Sequence, residues 1–156
     1  MSRPSVEAYA SEAGRVSAAI RGLEAADFAA VPVAGTWSIG QIVIHLMDSD
    51  LIGADRMKRI IAEENPMLIG FDETAFAKKL SYEKQDPVMA GEIFRMNREL
   101  MAVVLRGVEE GAFARVGTHN ERGRVTLGEM LDLYVHHLNH HVGFIRHKRQ
   151  LLGKPL

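Results

Sequence analysis

No cysteine occurs anywhere in the chain. That excludes disulfide bridges, thiolate metal ligands and a cysteine nucleophile together, so any metal must be held through nitrogen or oxygen donors. Proline is scarce, at five residues, and no stretch is rich in Gly, Pro and Ser, which confines disorder to the ends and one connection. No apolar run is long enough to cross a membrane, and residues 1–15 are polar without the apolar core of a secretion signal. A cytoplasmic protein is therefore expected. Neither sign of charge dominates: 19 basic against 20 acidic residues give a net charge of −1, which argues against a nucleic-acid partner. The densest basic run, Arg146, His147, Lys148 and Arg149, suits a helix end, where cations complement the dipole. Phosphate-binding glycine loops, the G-x-S-x-G elbow and the H-E-x-x-H motif are missing as well.

What is present fits one domain spanning residues 1–156, since 47% hydrophobic and 25% charged residues suit a single sizeable core. Apolar residues recur at helical spacing in four segments. The first runs from about residue 4 to residue 28 through Val6, Tyr9, Ala13, Val16, Ile20 and Leu23, with Pro4 in its first turn. Ser38 and Gln41 form a capping box for the second, whose stripe through Ile39, Ile42, Val43, Leu46, Met57, Ile60 and Ile61 continues to about Glu63. Residues 65–85 read as a long crossover with a short helix over residues 72–80. Asp86 and Pro87 open the third helix, which carries Ile93, Asn97, Leu100, Val104 and Val108 and stops at Gly111. Thr126 and Glu129 cap the last, through Leu127, Leu131, Tyr134, Leu138, Val142 and Ile145 to about Leu152. No segment alternates with period two over a convincing length. The expected fold is all-α, a four-helix bundle with a long crossover between helices 2 and 3.

Seven histidines stand out, four of them in the last helix at 136, 137, 140 and 141. At about 100° per residue, His141 lies roughly 40° and His137 roughly 80° from the buried stripe, whereas His136 and His140 point to the opposite, solvated side. Two imidazoles one turn apart on one face converge on a point just off the helix, a common metal grip. His45 flanks the stripe of the second helix and is either a third ligand or a hydrogen-bonded core histidine.

The run Trp37-Ser38-Ile39-Gly40-Gln41-Ile42-Val43-Ile44-His45-Leu46-Met47-Asp48-Ser49-Asp50 resembles the W-S-x-x-E/Q-x-x-x-H-L-x-D-x-D/E segment of the DinB-like superfamily. Its members include damage-inducible proteins and YfiT-type metal-dependent hydrolases and thiol transferases. About ninety residues on, Thr126 to Leu131 leading into Tyr134-Val135-His136-His137-Leu138-Asn139-His140-His141 resembles the family's closing helix, in which an HxxHH run supplies two of three histidines. Thr118-His119-Asn120-Glu121-Arg122-Gly123 is similar to the H-P-E-x-G loop of YfiT-type members. Two positions depart from the pattern: Asn120 stands where many relatives have proline, and Phe144 where YfiT-type proteins often have histidine. The resemblance implies a metal triad of His45, His137 and His141.

Three neutral imidazoles would leave a divalent ion an open position, the arrangement of catalytic sites. Zinc or nickel suits them best, with iron, manganese or copper also compatible. The resemblance implies an enzyme that acts on a small-molecule substrate, either transferring a low-molecular-weight thiol or hydrolysing. The alternative is a non-catalytic stress-response protein binding metal or a small ligand. Asp48, Tyr134 and His119 are the candidate catalytic residues, Asp48 and Tyr134 by orienting the ligand histidines, with Glu121 and Arg122 beside His119 at the mouth. Trp37 reads as a packing staple at the helix start. Eight methionines, with Ile44, Leu51 and Ile52 off the main stripe, suggest spare apolar surface and hence a homodimer.

Overall fold

Each long helix starts where the side chain before it satisfies its first free N–H groups. The computed structural model describes residues 3–156. Ser38 and Gln41 form a reciprocal capping box at the head of α4 (Ile39–Ala62), and Thr126 and Glu129 do the same for α7 (Leu127–Leu151). Asp86 accepts from the amides of Val88 and Met89 with Pro87 in the first turn of α6 (Pro87–Gly107). The first bundle element is broken where one continuous helix was expected. It comprises α1 (Arg3–Ser11) and α2 (Arg15–Ala19), followed by α3 (Ala25–Ala29). Hydrogen bonds three residues apart, Ala13 to Ala10 and Arg15 to Glu12, tighten the first break. The second holds Gly22 at φ 75°, a left-handed turn that a side chain would resist, and Glu24 with Asp27 caps a fresh start.

The packing runs in one circuit, with α1–α2 against α6, α6 against α4, α4 against α7 and α7 back against α1–α2. Two apolar clusters occupy its ends. One holds Val16, Ile42, Phe94 and Leu138, the other Tyr9, Met57, Met101 and Leu131. Both α4 and α6 enter the first cluster before the second, so these neighbours are parallel, and the chain must return the full length of the bundle between them. The crossover does this. It contains β1 (Met67–Leu68), α5 (Glu73–Lys79), capped by Asp72, and a single turn at Tyr82–Lys84.

Between the clusters lies a polar layer that ties all four bundle elements together. Arg98 of α6 donates to Asp50 of α4 at 2.9 Å and to the Tyr134 carbonyl of α7 at 2.8 Å. Its guanidinium also stacks 4.3 Å from the Tyr9 ring of α1. Both charged partners are buried.

The structure corrects four details of the sequence pattern. α6 ends at Gly107, and Gly111 falls in a separate 3-10 turn, Glu110–Ala114. The buried face of α6 runs through Ala90, Phe94, Met101 and Leu105, while Ile93 and Leu100 of the expected stripe are exposed. Two apolar stripes share that helix, and the buried one is interrupted by Arg98, which hides it from a periodicity count. Ile44 is buried in the core and offers no spare surface. Finally, a small sheet is present: β1 pairs in parallel with β2 (Val116–His119), which forms a hairpin with β3 (Gly123–Thr126). Two- and four-residue strands are too short to show a period.

Candidate metal centre

His45 lies in the second turn of α4, and His137 and His141 lie one turn apart on α7. Because α4 and α7 pack side by side, the three rings meet in one cluster. Ring centroids are 5.1 Å apart for His45 and His137, 4.7 Å for His45 and His141, and 4.5 Å for His137 and His141. One nitrogen from each lies within 4.8 Å of the others. Nε2 of His45 is 3.1 Å from Nε2 of His137. Two nitrogens on a tetrahedral ion at about 2.05 Å would stand about 3.3 Å apart, so this spacing fits a metal's bite.

Electrostatics keeps these nitrogens free. Burial pushes the pKa of His45 down to about 4, with the neighbouring His141 adding to the effect. Burial followed by His141 and His45 pushes His137 down to about 3, and burial followed by His140 pushes His141 to about 4. All three are neutral at pH 7 and offer lone pairs, the form a cation requires. Nδ1 of His141 is buried without a hydrogen-bond partner among the described residues.

The cluster sits between two cavities. The wider, about 640 Å3, is lined by Trp37, Ile42, Phe144 and the exposed faces of His137, His140 and His141. The smaller, about 160 Å3, lies toward the sheet and is lined by His45, His137, Tyr134, Arg56, His119 and Arg122, among others. Glu73, at the start of α5, borders both, and its carboxylate approaches Nε2 of His45 to 3.6 Å.

The three candidate catalytic residues part company. His119 ends β2, is buried, and faces the smaller cavity; its Nδ1 accepts from the Glu121 amide at 3.2 Å. Tyr134 lines the same cavity and accepts from Arg56 at 3.1 Å. Its ring lies against α4 only because residue 53 is glycine: a Cβ there would sit 2.3 Å from the ring. Asp48 is engaged elsewhere, accepting from the Tyr82 hydroxyl at 2.5 Å, and Ser49 is the residue beside His45, its hydroxyl 3.5 Å from both ring nitrogens. Glu121 and Arg122 do border the smaller cavity, and His136 and His140 are exposed. Trp37 packs at the helix start and also reaches the site, its ring 5.0 Å from that of His45. Asn120 has a reason to depart from proline. Its N–H donates to the Leu68 carbonyl at 3.0 Å, a bond proline cannot make, and its side chain accepts from the Gly70 amide at 2.7 Å.

Glu73, Arg56 and Ser49 escaped the sequence pattern. Glu73 belongs to a crossover without periodicity, and Arg56 reads as an ordinary solvated cation on α4. Ser49 alone carried a signal, being four residues after His45 on the same face.

Comparison with known proteins adds a lineage. The family model described as the DinB superfamily matches residues 8–145. A protein of Oceanobacillus iheyensis named "Putative metal-dependent hydrolase" is 28% identical over 111 residues, covering 71% of this chain and 64% of that one. YfiT of Bacillus subtilis, bearing the same description, is 28% identical over 120 residues, covering 76% and 67% respectively. The chain thus spans about two thirds of the length of the curated relatives it matches. The solved structure of Bacillus subtilis YfiT, described as having an unusual four-helix bundle topology, superposes with a TM-score of 0.89 at 23% identity, covering 96% of this chain and 86% of that one. A mycothiol-dependent maleylpyruvate isomerase superposes at 0.70 with 14% identity, covering 90% and 58%. At those identities the two structural likenesses establish the shared fold.

Proposed function

The chain belongs to the DinB superfamily, and on that premise we propose that it is a metal-dependent enzyme. His45, His137 and His141 hold one divalent ion, and the reaction is transfer of a low-molecular-weight thiol to a small electrophile, or hydrolysis. The observation that carries this is the convergence of three neutral imidazoles between two cavities. A three-ligand set with an open position is the catalytic type of site, whereas structural sites are closed. When bound, the ion supplies Lewis acidity that brings the pKa of a water or thiol toward neutrality.

The chain's own groups do the positioning. Trp37 and Ser49 flank the His45 ring. The wider cavity, with Trp37, Ile42 and Phe144, accepts an apolar or extended substrate portion and is of ordinary ligand size. Tyr134 and His119 stand at the smaller cavity as proton donors. The relatives named as hydrolases support metal-dependent chemistry, and the fold shared with a mycothiol-dependent isomerase supports a thiol substrate. Lack of cysteine fits, because no internal thiol competes for the ion. Zinc and nickel suit three nitrogen donors best.

The test is conjugation of cellular thiols to monochlorobimane, with loss of chloride and growth of thioether fluorescence, by metal-loaded protein. A rate at least tenfold above both the metal-free protein and His137→Ala is expected. No thiol giving such a rate would remove the transferase reading and leave hydrolysis.

Homodimerisation is also proposed, through a different surface from the one the sequence pointed to. Met89, Ile93, Met96, Leu100 and Val103 are all exposed on α6. Their spacing of four, three, four and three is the seam of a two-helix coiled coil, which a second copy of the same helix would cover.

A further inference from the structure

Arg56 is a buried cation with no counter-charge among the described residues. Only 7% of it is exposed. Of the five guanidinium donors, two are used, both on uncharged oxygens: Nη1 on the Tyr134 hydroxyl at 3.1 Å and Nη2 on the Ile69 carbonyl at 2.5 Å. Nε is buried without any partner, and among the described residues no carboxylate pairs with the group. Buried charges in folded proteins are ordinarily paired, so an arginine left in this state implies an anion that arrives from outside.

The groups around it are set to receive one. Burial raises the pKa of Tyr134, so the phenol stays neutral; it accepts from Arg56, and its own proton has no acceptor among the described residues. His119 accepts at Nδ1 from the Glu121 amide, which leaves the proton of the neutral ring on Nε2. Arg122, at the hairpin tip, adds a second positive charge and forms no ion pair among the described residues. These four side chains line the smaller cavity together with His45 and His137. Glu73 and Glu121 border it too, but both are exposed and neither reaches a guanidinium.

We infer that the smaller cavity is a carboxylate-binding subsite, in which Arg56, Tyr134, His119 and Arg122 hold an acid group of the substrate beside the metal triad. At about 160 Å3 it admits a carboxylate on a short stem and excludes a bulky group, which belongs in the wider cavity. The substrate class is thus a small organic acid whose reacting group lies within a few bonds of its carboxylate. The inference rests on the proposed metal reading for what the neighbouring site does, but not for the anion itself.

The test titrates metal-loaded protein calorimetrically with mercaptoacetate, 3-mercaptopropionate and 4-mercaptobutyrate, each beside its methyl ester. In the cobalt(II) form, a sulfur-to-metal charge-transfer band reports the thiol end separately. The best acid should bind at least tenfold tighter than its ester, and Arg56→Met or Arg122→Gln should cut that preference below threefold while the band persists. Arg122→Gln, on an exposed hairpin, and Tyr134→Phe keep the test intact where Arg56→Met fails to fold. Acid and ester binding equally, an acid preference surviving in all folded variants, or no binding by any probe would each overturn the subsite. An acid preference lost in the variants without any band would sink the thiol reading and sustain the subsite.

Discussion

Lowering the pH from 7.5 to 5.5 should barely weaken metal binding, although the proposed ligands are all histidines. An ordinary imidazole with a pKa of about 6.5 is about nine-tenths protonated at pH 5.5, which costs about tenfold per ligand relative to pH 7.5. Three such ligands together would lose about a thousandfold in affinity. Here burial sets His45 and His141 at about 4 and His137 at about 3, so nearly all copies are neutral at pH 5.5. The expected loss is less than about fivefold, measured by calorimetric titration of zinc in a non-coordinating buffer at both pH values. A loss of a hundredfold or more would refute the claim that burial holds the rings neutral. The same shifts fix a second sign. The unfolded chain takes up protons first, so the metal-free fold is steadiest above pH 6.5 and loses stability as pH falls toward 4.

Removing Asp50 strands Arg98 in the polar layer, and Asp50→Ala should cost about 3–5 kcal/mol in urea unfolding. Replacing both partners by Leu and Met should cost less than the single change, and a larger loss in the double variant would contradict that account. For the α6 stripe, light scattering should give a dimer for the parent and a monomer for Leu100→Glu; a monomeric parent at micromolar concentration would remove the proposal.

The long helices were legible because their signals are local. Ser38 with Gln41, Thr126 with Glu129, and Asp86 with the amides of Val88 and Met89 mark helix starts by hydrogen bonds made within three residues. That His137 and His141 share one face while His136 and His140 are exposed was legible for the same reason, since one helix fixes which faces share a direction. What the pattern could not give depends on packing between distant segments. The break after Ser11 opposes a good apolar repeat, and the sheet joins Met67 to Thr118 across the whole of α6. Arg56 looks like any surface cation until the Ile69 carbonyl and Tyr134 close over it. Asp48 was read as a partner for His45 because it lies one turn beyond it on the helix, yet the crossover brings Tyr82 to it instead.

Metal analysis of protein purified without a histidine tag, set beside His45→Ala and His137→Ala, tests the triad most directly. About one divalent ion per chain in the parent, falling below about a tenth in both folded variants, is the result expected of a three-ligand site. A parent free of metal after loading, or variants that retain it in full, would contradict a shared ion at His45, His137 and His141.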